Sequence, residues 1–287
     1  MKKLRTSAGL FLHDYPQDNM ADFIKAGLIF QKNIGFDAVD IPISYFDLSS
    51  DDSWKPLAQR VLSDSNEVGI KAELCHLPFS TRLCTEPDFV PVFNQRMHKA
   101  IDAAAFLGVD YAVLHPNTTT LPMSKYSKQE QYDSVMSHLS PFVEHANRVG
   151  LNIVVENMRP VPSFVPTHRF CQSPEELCDI ADALGIGVCW DFGHAHIAGI
   201  KQSEALAYVG KRLKVLHIND NFATEDEHIP PFVGNIDWRD AMHGLSLLNF
   251  EGLMNFELMG DGKPSSARVP YAQYIIECAK ELMSYIE

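Results

Sequence analysis

Ionisable residues recur at the ends of short apolar runs in this chain. The run 71–75 is followed by His76, 111–114 by His115, 152–155 by Glu156 and 187–190 by Asp191, with His194 three residues further on. His217 falls inside the run 215–218, and Glu257 follows the run 253–256. A single histidine at such a place is ordinarily a packed core residue. Six consecutive runs ending this way are hard to explain as packing, because buried carboxylates need a partner and several around one point are best compensated by a cation. Two Glu, one Asp and one His make a mixed nitrogen–oxygen donor set. That set suits Mn²⁺, Co²⁺, Zn²⁺ or Mg²⁺, and the lack of thiolate argues against a structural zinc site. Two glutamates across one mouth could also act as acid and base.

These residues share a site only if their runs are neighbouring parallel strands. The runs 5–12, 38–43, 71–75, 111–114, 152–155, 187–190, 215–216 with Ile218, and 253–256 are short and apolar on consecutive positions. That is the pattern of strands covered on both faces. Helical patterns alternate with them at 19–33, 54–68, 89–107, 129–149, from Ser173-Pro174-Glu175-Glu176 onward, 203–212, 238–248 and 270–286. Ser173 is placed to cap and Pro174 to take the first helical position. Gly108, Gly150, Gly185 and Gly252 stand where a helix must stop before the next strand. Eight strands alternating with eight helices predict an α/β chain folded as a (β/α)8 TIM barrel, one domain over 1–287. An open doubly wound sheet is the alternative, but no G-x-G-x-x-G follows the first run. In a barrel the carboxyl ends of all strands meet on the face that carries the active site.

Composition excludes several other classes. The chain has 287 residues, 46% hydrophobic and 21% charged, with 16 Gly and 17 Pro, which is neither collagen-like nor disordered. Mean hydropathy is -0.11, and no apolar run reaches the roughly 18 residues of a membrane span. The net charge of -13 argues against a broad basic face for nucleic acid. The apolar stretch near the N-terminus is too short for a signal peptide. The six cysteines, Cys75, Cys84, Cys171, Cys178, Cys189 and Cys278, contain no C-x-x-C pair. Buried free thiols in a reducing cytoplasm are therefore expected.

The strings Leu74-Cys-His-Leu-Pro, Leu114-His-Pro-Asn, Ile153-Val-Val-Glu-Asn, Trp190-Asp-Phe-Gly-His, Lys214-Val-Leu-His-Ile-Asn-Asp, Asp226-Glu-His-Ile-Pro-Pro-Phe-Val-Gly and Asn255-Phe-Glu resemble the xylose isomerase-like barrel superfamily. They are most similar to its sugar phosphate isomerase/epimerase-like branch, with its ketose 3-epimerases and inosose isomerases or dehydratases. The resemblance implies that Glu156, Asp191, His217 and Glu257 bind one divalent metal ion. It implies that Glu156 and Glu257 move protons next to a substrate carbonyl through a metal-bound enediolate, or serve an inosose dehydratase-type lyase on the same site. His76, His115, His194 and His228 would contact a small-molecule sugar or polyol, with His194 alternatively orienting Asp191. No nucleic acid or membrane partner is expected, and assembly as a homo-oligomer stays open.

Two departures from that pattern matter. The segment Asn219-Asp220-Asn221-Phe222-Ala223 lacks the Arg that ketose 3-epimerases carry after the strand-seven His, which counts against free-ketose 3-epimerisation. Pro230-Pro231-Phe232-Val233-Gly234 has Phe232 where the family's Pro-Pro-Gly-x-Gly loop has its first Gly, and is expected to place an aromatic ring near the pocket, on a loop 220–234 covering the mouth. The superfamily's abasic-site endonuclease branch uses three zincs, and candidates for all nine ligands are present: His76, His115, Glu156, Asp191, His194, His217, Asp226, His228 and Glu257. Against it, the loop after His217 carries Asp220, Glu225, Asp226 and Glu227 and no Lys or Arg to grip phosphates. Arg82, Arg159, Arg169, Lys263 and Arg268 are the candidate partners for a phosphate or carboxylate on the substrate.

Overall fold

Eight parallel strands close into a barrel in the computed structural model, which describes residues 4–10, 19–84, 86–258 and 265–286. The chain runs β1 (Arg5–Gly9), α1 (Met20–Ile34), β2 (Ala38–Pro42), α2 (Lys55–Val68), β3 (Lys71–His76), α3 (Val90–Leu107) and β4 (Tyr111–Leu114). It continues with β5 (Thr120–Pro122), α4 (Lys128–Val149), β6 (Ile153–Glu156), β7 (Thr167–Arg169), α5 (Pro174–Leu184), β8 (Gly187–Asp191) and α6 (Phe192–Ile197). It closes with α7 (Gln202–Val209), β9 (Leu213–Ile218), α8 (Trp238–Leu248), β10 (Leu253–Phe256) and α9 (Ser265–Ser284). Around the barrel the strand order is β1-β10-β9-β8-β6-β4-β3-β2. This is a (β/α)8 TIM barrel, as the alternation of runs predicts. The expected first strand extends to residues 11 and 12, which lie outside the described residues. No helix among the described residues is long and apolar enough to cross a membrane.

The joints follow from backbone chemistry. Gly108, Gly150 and Gly185 end their helices with φ of 68°, 76° and 66°, a region that costs other residues strain. Gly252 does not do this. Asn249 takes the left-handed position after α8, at φ 49°. Gly252 is instead constrained by packing, since a Cβ there would lie 2.2 Å from the Phe250 ring. Ser173 caps α5, its hydroxyl accepting from the Glu176 amide at 3.3 Å, with Pro174 in the first turn. Cys75, Cys171, Cys178, Cys189 and Cys278 are free and buried.

The barrel interior is layered. Leu74, Val113, Val154, Cys189 and Val215 form a buried apolar plug. Side chains alternate along a strand, so the next inward position on each strand lies two residues on. Those positions are His76, His115, Glu156, Asp191 and His217. The apolar plug therefore floors a ring of ionisable groups.

Two features escape the sequence pattern. Strands β5 and β7 pair antiparallel outside the barrel, and the short α6 follows β8 directly. The β5–β7 flap is tied down by buried Glu176, which accepts from Tyr126 Oη, from His168 Nε2 at 2.9 Å and from the Cys171 amide at 3.0 Å. The loop after β9 is folded around the fully buried Asp220. Its Oδ1 accepts from the amides of Asn221 and Ile236 at 2.9 and 3.1 Å, and its Oδ2 from the Phe232 amide and Trp238 Nε1 at 3.0 and 2.9 Å. Asp220→Ala is expected to destabilise the protein by about 3 kcal/mol, because it strands buried donors, with Asp220→Asn losing less. Urea unfolding of the two variants checks this.

Candidate active site

Each ionisable side chain of the ring is delivered by the end of a strand. Glu156 ends β6, Asp191 ends β8, His76 ends β3, His217 lies in β9 opposite Asp191 in register, and Glu257 follows β10. Ligand atoms of Glu156, Asp191, His217 and Glu257 all lie within 4.8 Å of one another. His217 Nδ1 is the centre: Glu257 Oε2 is 3.1 Å away, Glu156 Oε1 3.2 Å and Asp191 Oδ2 4.0 Å. The two glutamate contacts have the distance of hydrogen bonds without their alignment. His217 Nδ1, Glu156 Oε2 and Glu257 Oε2 are buried and form no hydrogen bond among the described residues. Buried ligand-type atoms left without hydrogen bonds on two carboxylates and an imidazole, with the Asp191 carboxylate beside them, fit a divalent cation with nitrogen and oxygen ligands.

Asp191 is the most rigidly held of the four. Its Oδ1 accepts from the His194 amide at 2.6 Å, capping α6, and its Oδ2 accepts from Asn219 Nδ2 at 2.7 Å. Asn157 brackets it, the side chain accepting from the Asp191 amide at 2.6 Å and donating to its carbonyl at 2.9 Å.

Three of the four histidines expected to meet substrate lie beside the glutamates. His76 Nε2 is 3.1 Å from Glu257 Oε1, His115 Nε2 is 3.2 Å from Glu156 Oε2, and His194 Nδ1 is 3.3 Å from Glu156 Oε1. His194 Nδ1 donates to the Asn157 carbonyl at 2.8 Å, so its ring does not orient Asp191; only its backbone amide does. His228 reaches the site from the loop after β9, donating from Nδ1 to the Glu257 carbonyl at 3.0 Å. Phe232 differs from expectation. Its ring packs toward Trp238 and Tyr285, at 6.4 Å from each, because Asp220 captures its amide and turns it away.

The electrostatics show a site with more buried acid than it can pair. Burial pushes the Asp191 carboxyl up to about 6, with Glu156 and Glu257 adding and His194 opposing. Burial, the largest single influence, would raise Glu156 and Glu257 too, but the facing histidines together outweigh it, His217, His115 and His194 for the first and His217, His228 and His76 for the second, and both are held well below the usual range. Burial would lower His76 and His228, yet Asp40 and Glu257 raise the first, and Glu257 and Asp226 the second, each to about 10. Burial keeps the Cys189 thiol protonated beside His217.

Several residues of the site are missed by reading run ends alone. Asp40 Oδ2 lies 2.9 Å from His76 Nδ1 and accepts from Asn255 Nδ2 at 3.0 Å, while Ser7 Oγ donates to Asn255 Oδ1 at 2.7 Å. The signal available was an aspartate inside an apolar run. Of the candidate anion partners, Arg82 is engaged by Glu86, its Nη2 2.7 Å from Oε2. Arg169 is buried in the flap, Arg268 lies on α9, and Lys263 is outside the described residues. Arg159 reaches the mouth, its Nε 2.9 Å from Asp226 Oδ2. A cavity of about 620 Å³ lies at the opposite end of the strands, lined by Arg5, Tyr111, Leu213 and Leu253 among others, away from the carboxylates.

A closed parallel barrel with a carboxylate–histidine ring at its C-terminal mouth is the class of structure that the fold and the site define. The chain belongs to the xylose isomerase-like TIM barrel family, whose model matches residues 30–282. It is similar to an uncharacterized protein of Methanocaldococcus jannaschii, 31% identical over 210 residues, 68% of this chain and 66% of that one. It is also similar to an inosose isomerase of Bacillus velezensis, 27% identical over 184 residues, 61% of each chain. The matches thus span just under two thirds of these relatives' length. The crystal structure of a D-tagatose 3-epimerase-like protein shares the fold, with a TM-score of 0.73 and 20% identity over 98% of both chains.

Gly193, between Asp191 and His194, has no room for a side chain. A Cβ there would lie 1.9 Å from Asn219 Oδ1 and 2.8 Å from Asn221 Nδ2. Gly193→Ala is expected to push Asn219 off Asp191 and to cost about 1–3 kcal/mol by overpacking. A lowered urea midpoint with an unchanged slope is the expected reading.

Proposed function

We propose that the chain is a divalent-metal-dependent isomerase or epimerase that moves a proton next to the carbonyl of a sugar or keto-polyol. The observation that carries this reading is the pair Glu156 and Glu257 on opposite sides of His217, each with one oxygen toward that imidazole and one turned away. A cation held by Glu156, Asp191, His217 and Glu257 would polarise the carbonyl and acidify the neighbouring C–H. The outward oxygens, Glu156 Oε2 beside His115 and Glu257 Oε1 beside His76, are the bases. One removes the proton and the same or the opposite glutamate returns it. His76, His115, His194 and His228 bind substrate oxygens. The inosose isomerase relative and the D-tagatose 3-epimerase-like fold neighbour support a sugar or keto-polyol substrate. A lyase acting on an inosose would use the same proton abstraction.

A second reading has one observation in its favour. Ligand atoms of His194, Asp226 and His228 also lie within 4.8 Å of one another, as a trinuclear-zinc phosphodiesterase would need. The acidic loop carrying Asp226, without Lys or Arg, opposes it by repelling a phosphate backbone.

Elemental analysis is expected to find about one metal ion per chain, and no cleavage of abasic DNA is expected. Three tightly held zincs with such cleavage would move the assignment to the phosphodiesterase. Solvent-deuterium incorporation into ketoses and inososes tests the chemistry. Glu257→Gln is expected to keep its metal content and lose exchange by about 10²–10⁴-fold, because an amide cannot accept the proton. Asp191→Asn is expected to lose metal and to recover activity in part when metal is added. Full exchange by Glu257→Gln would exclude Glu257 as the base.

A further inference from the structure

Arg159 stands in the loop leaving β6, three residues past Glu156. Its Nε meets Asp226, on the loop leaving β9, at 2.9 Å. The same Asp226 oxygen is 3.3 Å from His194 Nε2 and 3.3 Å from His228 Nε2. Those two histidines touch Glu156 and the Glu257 carbonyl respectively. One guanidinium is thereby joined to both halves of the carboxylate ring through a single acidic residue.

Arg159 is also held from behind. Buried Arg169 donates from Nη1 to the Arg159 carbonyl at 3.2 Å and from Nε to Thr118 Oγ1 at 3.3 Å. The β5–β7 flap, fastened by Glu176, therefore fixes where Arg159 begins. Its side chain still keeps 27% of its surface exposed at the mouth. Nε is engaged by Asp226, and the two Nη groups form no hydrogen bond among the described residues. They offer four further N–H donors beside a carboxylate acceptor.

We infer that Arg159 and Asp226 form a donor–acceptor pair that determines specificity, gripping neighbouring hydroxyls on an uncharged part of the substrate. A hydroxyl both donates and accepts. A diol placed there donates a hydrogen bond to Asp226 and accepts hydrogen bonds from Arg159. A phosphate or carboxylate placed there would meet the same guanidinium but lie against Asp226, with Glu225 and Glu227 on the same loop, and like charges at that distance are costly. The pair is neutral overall, so it selects hydroxyl geometry rather than charge. This inference rests on the proton-transfer reading and adds the part of the substrate that the glutamates do not touch.

The test uses the metal-loaded full chain with D-fructose, D-tagatose, scyllo-inosose and D-fructose 6-phosphate as probes. Solvent-deuterium exchange gives KM and kcat separately, and elemental analysis gives metal per chain. Arg159→Met is expected to raise KM for the accepted uncharged probe by about 10-fold to 100-fold, the loss of a hydrogen bond to a charged group. Its kcat and metal content should change little, and Arg159→Lys should recover part of the loss. A purely structural role would instead lower metal content or kcat with KM unmoved. Unchanged KM in both variants, with exchange by the native chain intact, would overturn this inference alone. A native preference for D-fructose 6-phosphate over D-fructose that disappears in Arg159→Met would also overturn it, making Arg159 an anion site. No exchange with any probe by the native chain would sink the proton-transfer reading and this inference with it.

Discussion

Three carboxylates and one imidazole share a space 4.8 Å across at the mouth of the barrel, on top of an apolar plug. Glu156, Asp191 and Glu257 cannot all be ionised there without compensation, since like charges that close in a poorly solvated site repel strongly. The surrounding structure answers that constraint. Asp191 is satisfied by an amide and an asparagine, Glu156 faces three histidines, and Glu257 faces His76, His217 and His228. Even so, Asp191 stays pushed up to about 6 by burial and its neighbours. A bound divalent cation would resolve the remaining imbalance, the usual reason for collecting carboxylates in a buried place.

The layer behind the ring does as much as the ring. Asn157, Asn219 and the absent side chain of Gly193 fix Asp191, and Asp40 with Asn255 and Ser7 fixes His76. These are neutral or charge-balanced hydrogen bonds inside the barrel, where an unpaired polar group is expensive. They restrict each ligand-type side chain to one orientation before any ligand arrives, which limits the reorganisation that binding requires. The loops supply what the barrel does not. Asp220 folds one over the mouth and Glu176 anchors the flap behind the other. A rigid scaffold with variable loops is how one barrel serves many substrates.

The barrel and its ring were legible in the sequence because both follow from local rules. A parallel strand buried on both faces must be apolar on consecutive positions, and its inward side chains repeat every two residues. Leu74 therefore predicts the place of His76, Val154 that of Glu156 and Val215 that of His217. Gly108, Gly150 and Gly185 mark helix ends because few other residues accept a positive φ. Gly252 looked the same in sequence and was not, since Asn249 also tolerates that conformation.

Only the tertiary structure decided which residues close the site from above. Arg159 and Asp226 are far apart in sequence and on loops without periodicity, so no pattern links them; the barrel brings their strands round to one mouth. Phe232 has the chemistry of a pocket residue but is drawn aside by a hydrogen bond from its own backbone amide to Asp220. The partnership of Asp40 with His76 likewise depends on β2 lying beside β3. Residue type and spacing alone determined which ionisable residues meet at the mouth and the strand ends that carry them, because alternation along a strand is a property of the backbone. Orientation and pairing across the mouth needed the folded chain, because they depend on distances between elements that sequence order does not contain.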